Sequence, residues 1–545
     1  MPNDPYFFTD TPEGFPGQWH LDRQTSGAAV DINVRGAWER GLTGQGVTIA
    51  FVEGVEWTHP DLVENYKASD SWDFFDNEPD PGGVGGVHHG TSVAGLAVAR
   101  GGNGLGITSV APHAWFAALR WMNTLGTRID VDTAAAERFS AALHHHSTGT
   151  SPPIQIKCTT CGESGRYLSH TYPAWSAVDQ AIRESTAAGT IHVWAAHNQR
   201  ELAASDNSGI YDADANRKVG NHLPETITVT ALDSSGRFAA YANYGACIAA
   251  AVPCGETIWG EGVNLTTTDM QGDAGYNPDP EYNDAFPDRD YTSTFTGTSS
   301  AAPIFSGVLA LAKEAQPNLD TRFAKHLLAR TCRVIDPTDA TPMGGWTTNA
   351  AGYHFNNNYG FGLVDADALT LAAAAHSGVT PLTTQTTELF QVGESIPPYV
   401  PEGISRTFEL SAGAPLEEVV VRLGLTGRAN AMWTEHSLGV EALLTSPSGT
   451  TSVLMYRAGY QMDVWIDPTY DWTFTSNAFW GEDPEGIWTL TLRDQAPVYG
   501  RFAETWSFFS VTARMGDLVA VPEPGTLALL TILGLVGVIA FRRRR

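Results

Sequence analysis

The chain has 545 residues, with 60 acidic against 32 basic side chains and a formal net charge of −28. A field of that sign repels nucleic acid and anionic lipid, which removes nucleic acid as a partner, and it favours cation binding. A hydrophobic fraction of 42% with 17% charged residues fits a globular protein able to bury a sizeable core, and the length fits two folded units plus tails.

In chain order, the segment Met1 to Tyr6 shows neither the basic nor the apolar region of a signal peptide. Apolar runs then predict strands over 46–52, 114–119, 154–158, 190–196 and 226–232, with helices over 90–99, 172–188, 300–315 and 320–331. This alternation, up to about residue 375, is the pattern of βαβ units around a parallel sheet, so an α/β domain is expected over 1–378. The Thr-, Pro- and Gly-rich texture of 379–401 reads as a linker. Beyond it, strands are predicted at 416–425, 439–446, 450–457, 487–492 and 505–513, separated by turns such as Ser446-Pro447-Ser448-Gly449. That makes 402–516 an all-β sandwich. The tail runs Val521-Pro522-Glu523-Pro524-Gly525, an apolar stretch from Thr526 to Phe541, and then Arg542 to Arg545. Its 16 mostly apolar residues are expected to form a hydrophobic helix short of the roughly 20 residues that span a bilayer, and the arginines would hold its end on the cytoplasmic side. Five cysteines make no disulfide framework in a chain this size, and the single Cys158/Cys161 pair is too little for zinc.

Two segments carry chemistry. His89-Gly90-Thr91-Ser92-Val93-Ala94-Gly95 puts a histidine at the start of one predicted helix. Gly297-Thr298-Ser299-Ser300-Ala301-Ala302-Pro303 puts a serine at the mouth of another. A serine hydroxyl becomes nucleophilic when an imidazole takes its proton, and a helix N-terminus favours the negative charge that develops there.

With these motifs the chain resembles the subtilisin superfamily, in its kexin and furin-like branch with an appended P domain. The resemblance covers about residues 4–515. It implies that His89 is the general base, Ser299 the nucleophile and Asn198, in Val193-Trp194-Ala195-Ala196-His197-Asn198, the side-chain oxyanion donor. Tyr359-Gly360-Phe361-Gly362 matches the end of the family's catalytic domain. Leu444 to Thr450 and Trp480-Gly481-Glu482-Asp483-Pro484 match its P domain. Thr160, Cys161 and Gly162 fall where kexins set a strand edge against substrate, but the aspartates that follow there in kexins have no counterpart, so cleavage after paired basic residues is not implied. Asp4, Asp61 and Asn103 match side-chain ligands of one family calcium site, and oxygen donors on loops suit that hard cation. The tail resembles the PEP-CTERM sorting signal, which implies export, engagement of the membrane by the tail, cleavage by a sorting protease and delivery to the cell envelope.

Two departures stand out. Seven residues ahead of His59, where the family carries the aspartate that orients the histidine, this chain has Val52. Glu53 is adjacent, but neighbouring strand residues face opposite ways, so the sequence expects it to point away from the site and Val52→Asp to restore rate. Asn198 is flanked by His197 and Gln199 where the family has glycines, and bulk there is expected to crowd the oxyanion hole. Two functions follow: a serine endopeptidase of reduced activity, or a non-catalytic envelope protein whose cleft binds a peptide or whose P domain binds a partner. The run His144-His145-His146 reads as surface, since successive helix residues cannot converge on one ion.

Overall fold

The computed structural model describes residues 2–7, 17–22, 30–82, 87–123, 133–147, 153–160, 173–201, 213–257, 262–277, 284, 286–341, 343, 345–398, 400–426, 428–429, 434–435, 440–456, 469–494 and 504–521. Seven parallel strands form the central sheet: β1 (Thr48–Phe51), β2 (Trp72–Asp73), β3 (Trp115–Arg120), β4 (Ile156–Thr159), β5 (Ile191–Ala195), β6 (Thr226–Leu232) and β7 (Ile248–Pro253). Their order is β2-β3-β1-β4-β5-β6-β7. Every residue of β1, β4, β5, β6 and β7 is buried, as expected for parallel strands covered on both faces.

The covering helices are α1 (Arg35–Glu39), α2 (His88–Val98), α3 (Thr133–His144), α4 (Pro173–Ala187), α5 (Thr298–Ala315), α6 (Thr321–Thr331) and α7 (Ala366–Ala375). Alternation along β1 splits its side chains between two cores. Ile49 and Phe51 pack with Val93 and Ala94 of α2 and Ala301 and Ala302 of α5. Ala50 and Val52 cluster with Leu119, Trp121, Phe139 of α3 and Ile182 of α4. Strand β1 pairs with β3 on one side and β4 on the other, so the chain reverses its direction of winding between β1 and β4. A crevice opens at the carboxyl ends of strands at such a reversal.

An antiparallel ribbon, β8 (Leu265–Thr268) with β9 (Tyr291–Phe295), leads into α5, and a short one, β10 (Thr347–Thr348) with β11 (His354–Phe355), follows α6. Nearly half of the expected linker over 379–401 is strand. It holds the end of β12 (His376–Val379), β13 (Thr383–Thr386) and β14 (Phe390–Ser395). The remaining strands are β15 (Ile404–Leu410), β16 (Leu416–Thr426), β17 (Arg428–Ala429), β18 (Thr434–Glu435), β19 (Val440–Thr445), β20 (Thr451–Met455), β21 (Thr469–Ser476), β22 (Gly486–Asp494), β23 (Thr505–Met515) and β24 (Leu518–Ala520). They form two antiparallel sheets, β13-β23-β16-β21 with β14 also on β23, and β15-β22-β19-β20, besides the separate pairs β12-β24 and β17-β18. The Thr and Gln residues of β13 offer no apolar alternation, and β14 only the short one of Phe390 and Val392; both pair with β23. The hydrophobic tail helix expected over 526–541 lies outside the described residues. Among those described, no helix is long and apolar enough to cross a membrane.

The sandwich is docked on the α/β domain by groups that leave little freedom. Asn216 is bonded to Thr475 through both its side-chain atoms, at 2.9 and 3.0 Å, while its carbonyl accepts from the Trp472 indole at 2.8 Å. Glu482 of the tail-side domain accepts from Ser448, Thr450 and the backbone N–H of Ala350. At the α6 face, Glu417 accepts from Arg322 and His326, and Lys325 reaches Glu418 at 2.8 Å, all four partners other than Arg322 being buried.

Candidate active site

The candidate residues gather at the carboxyl edge of the sheet. Helix α2 begins one residue before His89, and α5 begins one residue before Ser299. Small residues let these helices approach their surroundings closely. A Cβ on Gly90 would lie 2.0 Å from the Gly54 carbonyl, and one on Gly95 would lie 2.2 Å from Thr268 Oγ1. The ring of Phe295, just ahead of α5, stands edge-on to the His89 ring at 5.6 Å. His89 and Ser299 are 8% and 9% exposed, so little of either residue is accessible.

The turn before Ser299 is built around glycine. Gly297 has φ 91°, a conformation that L side chains rarely adopt. A side chain there would stand 3.1 Å from Asn198 Nδ2 and 3.6 Å from the Ser299 backbone nitrogen, so the glycine leaves open a space bordered by two N–H donors. Asn198 is held by its oxygen, which accepts from the Thr298 N–H at 2.8 Å and the Thr298 hydroxyl at 2.9 Å. Its amide nitrogen is thereby turned toward that space. Tyr241 supports the same turn, its phenol oxygen accepting from the Gly297 N–H at 3.1 Å, and burial pushes that phenol far up from its ordinary value. Neither Thr298 nor Tyr241 was singled out by sequence, because hydrogen bonds between distant segments leave no local pattern.

The residues flanking Asn198 are held by their backbones, the Asn243 N–H donating to the His197 carbonyl at 3.0 Å. Gln199 is tied to Asn243, whose Oδ1 accepts from the Gln199 N–H at 2.8 Å. His197 adopts φ 73°, and burial, with Lys218 nearby, pushes its imidazole down to about 3, so the ring is neutral. A left-handed backbone at a non-glycine residue costs on the order of 1 kcal/mol.

The environment of His89 reverses the expectation for Glu53. Its Nδ1 lies 2.7 Å from Glu53 Oε2, and the Thr160 hydroxyl donates to Glu53 Oε1. The side chains of His89 and Glu53 are 10% and 5% exposed. Alternation does separate residues 52 and 53, but it is Glu53 that shares the face of Phe51 and α2, while Val52 enters the core under α3 and α4. Strand β1 also ends at Phe51, so the glutamate starts from a bend and its extra methylene spans to the helix mouth. Of the three residues expected to line the substrate edge, Thr160 is placed beside Glu53, and Cys161 and Gly162 lie outside the described residues.

Asp4, Asp61 and Asn103 are brought together by the loop after α2. Asp4 accepts from the N–H groups of Gly102 and Gly104. Asp61 accepts from Asn103 Nδ2 at 2.9 Å, from the Ile107 N–H and from the Tyr291 phenol. Both carboxylates are fully buried, and among the described residues no basic side chain pairs with either. Burial, followed by the charge of Asp61, pushes the Asp4 carboxyl up despite its backbone donors. Two buried acids without a counter-charge fit a hard divalent cation. A second group, Asp73, Asp76 and Glu78, is already neutralised in part by Arg120, which pairs with both aspartates. The histidine run does not converge, since His144 faces Glu184 at 3.3 Å and His146 faces Asp70 at 3.4 Å. The four described cysteines, Cys158, Cys247, Cys254 and Cys332, are free thiols.

A sequence model of the Subtilase family matches residues 44–362, which contain the His89, Asn198 and Ser299 segments. The chain belongs to the subtilase family. This subtilase also matches the proprotein convertase P-domain over 432–508 and the PEP-CTERM protein-sorting motif over 520–545. It is 30% identical over 510 residues to neuroendocrine convertase 2 of Drosophila melanogaster, a match covering 91% of this chain and 70% of that one. It is 29% identical over 512 residues to the PC3-like endoprotease variant B of Hydra vulgaris, of whose length the match covers 64%. The subtilase thus spans about three fifths of the length of the Hydra relatives it matches. Its fold is that of the serine protease of Aeromonas sobria, with a TM-score of 0.76 at 24% identity, covering 89% of this chain and 91% of the other.

Proposed function

We propose that this subtilase is an exported serine endopeptidase that works through an acyl-enzyme. Ser299 Oγ attacks the carbonyl carbon of a peptide bond and its proton passes to His89 Nε2. Asn198 Nδ2 and the Ser299 N–H hold the oxyanion as it forms. The C–N bond then breaks, His89 delivers the proton to the departing amine, and water repeats the sequence on the ester. Two observations support this reading: the glycine-lined space beside Ser299, bordered by Asn198 Nδ2 and the Ser299 nitrogen, and a histidine at the start of α2 paired with a carboxylate. The non-catalytic alternative drew on a missing carboxylate and a crowded oxyanion loop. Glu53 at His89 weighs against the first ground, and the ties of His197 and Gln199 to Asn243 hold the loop after β5 in place.

Asp4, Asp61 and Asn103 would hold calcium, which would tie the N-terminal segment to the loop after α2 and has no part in the chemistry. The P domain serves as a docked stabiliser. The PEP-CTERM segment directs export to the cell envelope, with transient anchoring by the tail and release by a sorting protease. The test is labelling of the full chain with a fluorophosphonate, in which Ser299 Oγ bonds to phosphorus, fluoride leaves and the serine proton passes to His89. Labelling that disappears in Ser299→Ala and falls steeply in His89→Ala is expected. Folded, calcium-loaded protein that takes no label overturns the proposal.

A further inference from the structure

We infer that the carboxylate orienting the catalytic histidine has moved one residue along the chain, from the family's usual place at Val52 to Glu53, and that Thr160 locks it there. The inference rests on the serine-hydrolase reading above and deepens it.

Four observations converge. First, Glu53 Oε2 lies 2.7 Å from His89 Nδ1, so a proton on Nδ1 is shared with a carboxylate and Nε2 is left with its lone pair for the serine proton. Second, both carboxylate oxygens are engaged, one by the imidazole and the other by the Thr160 hydroxyl, which fixes the plane of the group. Third, the space is made for this side chain. A Cβ on Gly90 would come within 2.9 Å of Glu53 Cγ and 3.1 Å of Glu53 Oε2, so only glycine next to His89 lets the glutamate pass. Fourth, position 52 is committed elsewhere. Val52 is 1% exposed in the opposite core, its N–H donates to the Cys158 carbonyl and its own carbonyl accepts from the Trp121 indole, both at about the ideal distance.

A relocated triad explains why the chain can lack the usual aspartate and still hold a complete set of catalytic groups. It also couples two parts of the cleft. Thr160 directly follows β4 at the segment expected to meet substrate, so the residue that sets the carboxylate stands at the start of the substrate edge. Thr160 and Glu53 are therefore positioning residues that act on Ser299 through His89.

The experiment measures fluorophosphonate labelling rates of the full chain. Glu53→Gln keeps the shape but offers an amide in place of an acceptor, which favours the wrong imidazole tautomer. It is expected to label roughly 10³–10⁴-fold more slowly than wild type. Glu53→Asp, one methylene shorter, is expected to recover part of the loss, and Thr160→Val to slow labelling several-fold. Glu53→Ala opens a carboxylate-sized gap beside His89. Formate, compared with chloride at equal ionic strength, is expected to accelerate this variant at least tenfold and to leave wild type unaffected. A merely structural glutamate would give no such rescue. Labelling of Glu53→Gln within about threefold of wild type overturns the inference, as does a slow Glu53→Ala that formate does not accelerate. Wild type that takes no label overturns the hydrolase reading and this inference with it, whereas wild type that labels while the Glu53 variants behave normally overturns this inference alone.

Discussion

Val52→Asp restores the family's sequence pattern, and the structure expects it to damage the protein rather than improve it. The valine is buried among Ala50, Leu119, Trp121 and Phe139. Lys157, on the neighbouring strand opposite Ala50, already donates to the carbonyls of Ala142 and Leu143 and to the Ser147 hydroxyl. Its burial pushes the ammonium well down, so it is a poor counter-charge for a new acid. An aspartate, ionised in the unfolded chain above about pH 4, would have to take up a proton to enter this core. At neutral pH that costs about 4 kcal/mol, and losing the valine's apolar burial adds about 2 kcal/mol. Against the roughly 5–15 kcal/mol that holds a domain folded, the variant should be severely destabilised. The sign of the pH dependence is fixed by the same argument. The acid's pKa is raised in the folded state, so the proton-uptake part of the deficit is largest at neutral pH and shrinks as pH falls toward 4. Urea unfolding followed by tryptophan fluorescence, run at several pH values, measures this directly. A Val52→Asp protein as stable as wild type and faster in fluorophosphonate labelling would refute the assignment of faces along β1.

Three further outcomes follow from other parts of the molecule. Asn198→Leu removes one oxyanion donor and should lower kcat by roughly 10²–10³ with little change in KM, as steady-state kinetics on a cleaved peptide would show. Glu417 at the α6 interface is pushed up by burial, but the hydrogen bonds from His326 and Arg322 outweigh it and bring its carboxyl below the usual value of 4.5. It therefore contributes stability that is present above about pH 4.5 and lost as pH falls through the lowered value. The stability gap between wild type and Glu417→Gln, on the order of 3 kcal/mol at neutral pH, should close in acid. Chelation with EDTA should lower the unfolding temperature of wild type. Asp61→Ala, which removes a fully buried ligand, should start lower and respond little to EDTA, with differential scanning calorimetry as the measure.

The sequence alone carried the architecture because its signals are local and periodic. The apolar runs of β1 and β3 to β6, the small-residue helices after His89 and Ser299, and the alternating strands of the second domain each obey a period that burial imposes on nearby residues. The motifs around His89 and Ser299 were legible for a related reason: glycine and small side chains at fixed offsets are demanded by tight turns and close helix packing.

What the tertiary structure decided was orientation and long-range pairing. Which of Val52 and Glu53 meets the imidazole depends on which face of β1 carries α2, and a two-residue alternation fixes the difference between faces but not their assignment. The strand character of 383–395 depends on β23, more than a hundred residues later. The supports of the site, Tyr241 under Gly297 and Thr160 against Glu53, are hydrogen bonds across 56 and 107 residues of chain. Such contacts become visible once packing has brought the segments together, because nothing in either segment's own periodicity specifies its partner.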